Sequence, residues 1–535
     1  MCLLPSATCP LTPALDARTW TLAANTLLLS GATCAIAVPV GSSLAFLLTR
    51  TNLPGRRVGL AALGLMLFVP LYLHAAGWLA GFGVLGWFPL ATGSRLWFDD
   101  AWVGAVWVHA AAAVPWVVLI VGAGFRLVEP ELEEQALLDG SPRQVFFNVT
   151  LRSAAPAVGV AAVWVAVVAA GEMAVTDLFV IRTYAEEVYT GFALSPDAEA
   201  GPMGLVPGVT ICGLLVLAAV WLCGRVLPGD RPLSLRGRHV FFLGPWRWPA
   251  ATLVFAVLVV LIAVPLGNLA YKAGITVSQA GTERVREWSP VKMARMVGTA
   301  PWRFGEEFGW SLSIAALAAA AAVAVAALLA WFSQPGAWLG SRSKAGRVTA
   351  RAVMLLVAAA CLAVPGPVVG VGLIALLNRP ELPLVTWLYD QSILAPWLAL
   401  SIRSLPLAVL VMWHALRTVP GEMLEAAAVD GAGTLWRLLF VALPGRLPAA
   451  ALAWVVAFAV ALGDLAASVL VLPPGVDTLS RRVFGLLHSG QEAEVAGICL
   501  AIVGMFAGVA ALGGWLAKRW GRSVTGDRSR SADQL

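Results

Sequence analysis

Formal charge is scarce in this chain: 12% of its 535 residues are Asp, Glu, Lys or Arg, about half the roughly 25% usual in soluble domains. Lysine is scarcer still, with only Lys272, Lys292, Lys344 and Lys518. None follows a glycine-rich loop of the G-x-x-x-x-G-K-[ST] kind, so no nucleotide site of that type is encoded. The seven cysteines (Cys2, Cys9, Cys34, Cys212, Cys223, Cys361 and Cys499) form no C-x-x-C pair, and His74, His109, His239, His414 and His488 are dispersed. A disulfide framework, a zinc site and a metalloenzyme are excluded, and no catalytic or metal-ligating constellation is expected. What is present is apolar: 59% hydrophobic residues, a mean hydropathy of +0.83 and 23 tryptophans. The chain reads as an all-α polytopic membrane protein.

Crossing the bilayer core takes about 20 apolar residues. Eleven spans are expected, near 20–48, 58–80, 101–125, 154–173, 204–226, 250–270, 309–332, 350–377, 393–416, 447–466 and 495–517. The first runs too long for a signal-peptide core and lacks its charged start, so it reads as a retained span. Arg50, Arg56 and Arg57 follow the first span, Arg231, Arg236, Arg238 and Arg247 the fifth, and Arg342, Lys344, Arg347 and Arg351 the seventh. Together with the tail from Lys518 to Arg530, they fall on one side if the N-terminus is outside and the C-terminus cytoplasmic. The net charge of +6 is thus mostly a topology signal, and nucleic acid is not an expected partner. Membrane lipids are, with Trp20, Trp78, Trp87, Trp102, Trp246, Trp310, Trp413 and Trp520 gathered at span ends as an aromatic belt. The connection 271–308 breaks the charge pattern, with Lys272, Arg284, Arg286, Lys292, Arg295 and Arg303 on the outer side.

The two most polar interior segments, 129–156 and 419–448, resemble each other. Glu134, Ala136, Asp139 and Gly140 recur as Glu425, Ala427, Asp430 and Gly431 at a constant separation of 291 residues, which also carries Arg126 onto Arg417 and Pro115 onto Pro406. One residue further on, a separation of 292 carries Pro156 onto Pro448 and Glu172 onto Asp464. The chain reads as a tandem duplication with repeats at 1–228 and 249–535 and a cytoplasmic linker at 229–248. Six spans lie between the two polar loops, so both loops face the cytoplasm and the repeats are parallel. Inverted-repeat transporter folds are disfavoured.

Each polar loop carries a short helical stretch with Glu, then small residues, then Asp-Gly, where glycine permits the positive φ that ends a helix. An amphipathic segment follows, with Val145, Phe146 and Phe147 in one loop and Trp436, Leu438, Leu439 and Phe440 in the other. A loop that only reconnects spans needs neither helix nor repetition. A surface helix in the headgroup layer is the plain reading; docking of a cytoplasmic partner explains the duplication.

Glu425-Ala426-Ala427, Gly431 and Val441-Ala442-Leu443-Pro444 resemble the EAA loop of binding-protein-dependent ABC importer permeases. The first loop departs from that pattern: Gln135 replaces the first Ala, the spacing after Gly140 is one residue short, and Arg152 stands at the Pro. The resemblance covers nearly the whole chain and is greatest to ferric-iron permeases, with thiamine permeases next. It rests there on 171–192 and 471–490. It implies a type I importer fold in the bacterial inner membrane. The loops would then be coupling helices, with Glu134 and Glu425 and their neighbours contacting two ATPase subunits that hold ATP and Mg. A periplasmic or lipid-anchored binding protein would deliver ferric iron, or alternatively thiamine, a polyamine or an oxyanion. Without a phosphate loop of its own, the chain is then not an enzyme. A gradient-driven secondary transporter is the alternative from another class.

Glu172 and Asp464 each stand sixteen residues past a paired proline, about 24 Å along a helix, so both approach the outer end of equivalent spans. Carboxylates in a membrane face a cavity or a partner. They either line a path for a hard cation or are structural, with Arg403 the candidate partner. Pro115 and Pro406 are candidate gate kinks or static packing kinks, and Pro70 and Pro365 read the same way. In the outer loop, Asp177, Arg182, Glu186, Glu187 and Tyr189 are either a surface for an external binding protein or ordinary solvated residues.

Overall fold

A computed structural model of the chain describes residues 17–94, 98, 100–194, 210, 212–214, 216–217, 239–280, 283–334, 337, 344–509 and 511. Most of the span expected at 204–226, the first half of the linker at 229–248 and the tail past 511 lie outside the described residues. So do the topology residues Arg231, Arg236, Arg238 and Arg342.

The first repeat consists of α1 (Ala17–Arg50), α2 (Arg56–Met66), α3 (Leu71–Phe82), α4 (Ala101–Arg126), a short α5 (Pro130–Asp139) and α6 (Leu151–Gly171). A span α7 (Gly244–Gly274) then leads into the hairpin β1 (Ile275–Ala280) and β2 (Glu283–Trp288) and the helix α8 (Pro290–Arg303). The second repeat follows as α9 (Gly305–Phe332), α10 (Lys344–Ala363), α11 (Gly366–Leu377), α12 (Leu394–Arg417), α13 (Gly421–Val429) and α14 (Leu447–Gly463). It closes with α15 (Leu479–His488) and α16 (Glu492–Val509). Among the described residues nine helices are long and apolar enough to cross a membrane, with α10 and α11 a further bent pair. In order and kind, α1–α6 correspond to α9–α14, so the fold is an all-α membrane fold of two parallel repeats.

Small residues set the helix spacing, as expected where packing rather than water drives association. On α9, Ala315, Ala318, Ala319, Ala322, Ala326 and Ala330 are buried in one cluster with Leu405, Ala408 and Met412 of α12 and Ala453 and Ala457 of α14. Gly41 of α1 sits so close to α4 that a β-carbon there would lie 2.5 Å from Val117 Cβ. Large apolar side chains such as Leu28, Leu253, Leu317 and Leu356 point outward, where lipid would cover them.

Two expected spans are not continuous. The stretch 58–80 divides into α2 and α3 at Pro70, and 350–377 divides into α10 and α11 at Pro365 with a bend of 104°. Both prolines are extended at ψ, 152° and 149° respectively, and each starts the helix behind it. Proline has no N–H to continue the preceding helix and pushes the residue before it out of the helical region. By contrast, Pro115 and Pro406 lie inside the unbroken helices α4 and α12.

The leading span of the second part grips the first repeat. Its Phe255, Leu258 and Pro265 press on Gly55, Gly59 and Gly77, and Asn268 Nδ2 donates to the Gly77 carbonyl at 3.0 Å. Trp87 Nε1 donates to Asn268 Oδ1 at 2.9 Å. At the face opposite the polar loops, hereafter the far face, the cations of 271–308 find acids from elsewhere: Lys272 pairs with Glu492, and Arg303 with Glu494 at 2.7 Å. Two of the six cations of this connection, Lys272 and Arg303, are thus offset by acids, and Lys292 donates to the Ile275 carbonyl.

Candidate functional site

The two polar loops lie on one face and share a plan. In the first, Pro130 begins α5, whose first-turn acids Glu131 and Glu133 suit the positive end of a helix. In the second, α13 begins at Gly421 after Pro420. Past each helix, the chain enters a π-helical turn, at Phe146–Thr150 and at Arg437–Ala442. The turns start at repeat-equivalent positions but hold five and six residues, so the one-residue gap between repeats is taken up there. A π turn absorbs such a change without breaking the helix.

The helix ends differ. Gly431 has φ +83°, with its N–H donating to Ala428 O at 3.1 Å and Ala432 N–H to Ala427 O at 2.9 Å, a left-handed helix stop. Gly140 does not share it, correcting the expectation: its φ is −141°. Pro142 holds Ser141 extended, and Ser141 with Gln144 forms a capping box for the next turn instead.

Anchoring differs too, through a residue the sequence reading passed over. Glu133, beside Glu134, is completely buried; it pairs with Arg50 at the end of α1 and accepts from Thr150 Oγ1 at 2.6 Å. Arg50 also donates to Phe125 O at 2.6 Å. The equivalent position in the second loop is Leu424, buried at 5% exposure in the apolar core with Leu438 and Ala442. Arg446 donates to Thr418 O and closes that loop.

Toward solvent the loops converge again. Glu134, Asp139, Glu425, Ala426, Asp430, Gly431 and Pro444 are exposed; Ala136, Gly140, Ala427 and Leu443 are half-buried. At equivalent tips stand Leu138, 86% exposed, and Val429, 87% exposed. An open groove lined by Ala427, Asp430, Gly433 and Trp436 lies beside the second helix. Apolar side chains held clear of the protein beside exposed acids, twice and in register, form a surface a partner can cover.

The membrane carboxylates terminate α6 and α14. Glu172 accepts from Ala174 N at 2.8 Å and Val175 N at 3.0 Å; Asp464 accepts from Ala467 N at 2.8 Å. Asp464 Oδ2 also meets Arg403 Nε at 2.8 Å, while Glu172 lies 3.7 Å from His109 Nε2. His109 on α4 and Arg403 on α12 are equivalent to within one helical turn, so each repeat sets a basic side chain against its helix-end acid. His109 escaped sequence reading because its exact equivalent, Leu400, is apolar. Arg403 is within hydrogen-bond distance of its acid, whereas His109 Nε2 stands beyond it. Asp464→Asn should therefore lower stability to urea in mild detergent by about 1–2 kcal/mol more than Glu172→Gln does. Equal losses would contradict the difference between the pairs.

The far-face residues singled out in sequence are engaged within the chain. Asp177 meets His488 Nε2 at 2.8 Å, Arg182 meets Glu186 at 2.8 Å, Glu187 pairs with Arg18, and Tyr189 packs edge-on to Phe484.

Residues 336–526 match the family model described as "Binding-protein-dependent transport system inner membrane component". Over this part the chain is similar to the inner-membrane permease components of binding-protein-dependent transport systems. The putrescine transport system permease protein PotI of Escherichia coli (strain K12) is 30% identical over 199 residues, 37% of this chain and 66% of the relative. The molybdenum transport system permease protein ModB of the same strain is 27% identical over 217 residues, 38% of this chain and 93% of the relative. The spermidine/putrescine transport system permease protein PotC is 31% identical over 91 residues, 17% of this chain and 34% of the relative. The chain thus spans just under two thirds of the length of PotI.

Proposed function

We propose that the chain is the transmembrane permease of an ATP-driven importer, with both halves in one polypeptide. The observation that carries this reading is the pair of repeat-equivalent loop helices on one face, with Leu138 and Val429 almost fully exposed at their tips. The first repeat is 1–228, the linker 229–248 and the second repeat 249–535. The loop face is cytoplasmic with the C-terminus, the N-terminus is outside, and the membrane is the bacterial inner membrane. Two separate ATPase subunits bind ATP and Mg and seat on the loops, and a periplasmic or lipid-anchored protein delivers substrate to the far face. The chain itself hydrolyses nothing.

Force on the first loop enters through the Arg50–Glu133 pair into α1 and α4, and force on the second through Leu424 into the apolar core around α9 and α12. For the substrate, two supports point apart. The segments 171–192 and 471–490 resemble iron-type permeases and favour ferric iron; the names of PotI and PotC favour a polyamine. Selection lies first with the delivering protein, so its ligand decides.

The test is a mild-detergent pull-down of the tagged chain from its native membrane, read by mass spectrometry. A phosphate-loop ATPase and a binding protein should co-purify, and that binding protein is then assayed with ferric iron, putrescine, thiamine and molybdate. Recovery of the chain alone, under conditions that preserve a control complex, would replace this reading by a gradient-driven transporter.

A further inference from the structure

The helix ends at Glu172 and Asp464 and the proline corners at Pro70 and Pro365 meet crosswise between the repeats. A β-carbon placed on Gly171 would lie 3.4 Å from Pro365 Cα and 3.8 Å from Pro365 Cβ. One placed on Gly463 would lie 3.8 Å from Pro70 Cα and 3.9 Å from Pro70 Cβ. Each repeat thus ends the helix that follows its polar loop against the corner of the other, twice and with nearly the same spacing. Around them, Tyr72 and Leu73 behind Pro70 are buried in one cluster with Leu462, Leu465 and Ala466. Gly366, just past Pro365, is packed so tightly on Ala466 that a β-carbon would lie 2.6 Å from its Cβ.

A basic side chain holds the Pro365 corner. Arg403 binds Asp464 with Nε and donates from Nη1 to the carbonyl of Val364 at 3.0 Å, the residue before Pro365. One guanidinium therefore ties the acidic helix end to the proline corner that Gly171 presses from the other repeat. In the first repeat His109 Nε2 lies 3.7 Å from Glu172, and its Nδ1 meets Ala105 O on its own helix at 2.8 Å. A corner made by proline is stiff, and a glycine opposite it allows the two backbones to touch and to separate without a side chain intervening.

We propose that the crossed contacts Gly171–Pro365 and Gly463–Pro70 close the path between the repeats, and that Arg403 is the positioning residue that makes acid end and corner move as one. This inference rests on the permease reading above. Transport then requires both contacts to part, and the carboxylates serve the gate by fixing the helix ends behind the glycines.

The β-carbon separations of 3.8 and 3.9 Å match the mean of about 3.8 Å in disulfides, which makes the gate testable by bridging it. In a cysteine-free full chain, reconstituted with its co-purified partners, Gly171→Cys with Pro365→Cys and Gly463→Cys with Pro70→Cys should each bridge under copper–phenanthroline. Bridged peptides are read by mass spectrometry, and uptake is read with radiolabelled putrescine and ferric iron in turn. Bridging should reduce uptake at least tenfold, and dithiothreitol should restore it. Failure to bridge would overturn the contact, and full uptake while bridged would overturn the gate. A reduced chain that takes up neither probe with its partners, when the unsubstituted chain does, shows that a corner proline was needed for folding. Gly171→Leu then keeps both prolines and should hold the contact apart, leaving ATP hydrolysis running with uptake at least tenfold lower; unchanged coupling would overturn the gate. Absence of uptake of thiamine and molybdate as well as of putrescine and ferric iron, by the unsubstituted chain with every recovered partner, removes the permease reading, and the gate with it. Arg403→Lys should retain Asp464 but lose Val364, lowering uptake per ATP hydrolysed; an unchanged ratio would overturn the positioning role.

Discussion

Glu425→Arg combined with Gly431→Pro should reduce uptake to background and release the ATPase subunits while the chain remains inserted in the membrane. Glu425 is exposed and has no part in the core, so reversing its charge should cost the fold at most about 0.5 kcal/mol. Gly431 is different: its φ of +83° is closed to proline, whose ring holds φ near −65°. The variant also removes the N–H that donates to Ala428 O. The end of α13 must be rebuilt, and Val429 with it leaves its exposed position. Interface residues of this central kind carry about 2–4 kcal/mol of binding each, so association should weaken by at least 30-fold. Co-purification and uptake in vesicles measure the two losses separately. Normal uptake by this variant would remove the coupling role from the second loop.

Glu133→Ala should produce the largest loss of stability. Glu133 and Arg50 are 0% and 1% exposed at their side chains, and removing one member of so buried a pair leaves the other charge uncompensated, at about 3–5 kcal/mol. Thr150 loses its acceptor as well. The second repeat indicates the remedy, since Leu424 fills the equivalent place without a charge. Glu133→Leu with Arg50→Met should recover most of the lost stability, because a packed apolar pair often equals a buried ion pair. Urea unfolding in mild detergent of single and double variants checks both. A Glu133→Ala chain as stable as the parent would show that the pair does not anchor the loop.

Much of this architecture was legible in the residues. Span length and apolar runs locate the helices, and the spacing of 291 joins Glu134 to Glu425 from the residues alone. The short loop helices also fall where Glu, small residues and Asp-Gly indicate. What escaped shares a physical cause: repeat comparison finds only what both halves solve in the same way. Glu133 pairs with Arg50, but its counterpart is Leu424, so nothing marked it; Arg50 read only as a topology charge. His109 answers Arg403 from one turn away, so strict alignment missed it. Gly140 matches Gly431 in identity, yet Pro142 two residues later changes what the chain does with it. The breaks at Pro70 and Pro365 look in sequence like the interior prolines Pro115 and Pro406, because a lone proline in an apolar run does not reveal whether its helix continues.

The seat of α7 on the first repeat has a further meaning. Gly77 and Gly81 form a socket shaped to Pro265 and Asn268, and the helix that fills it is carried by the other half of the chain. Lys272 at its end then reaches back to Glu492. The halves are therefore interlocked like a dovetail, and the peptide joining them is a tether for assembly rather than what holds them together. A chain severed in the linker should retain its two pieces as a single particle. Two copies of one half, each bringing its own socket or its own tenon, would lack the complementary part.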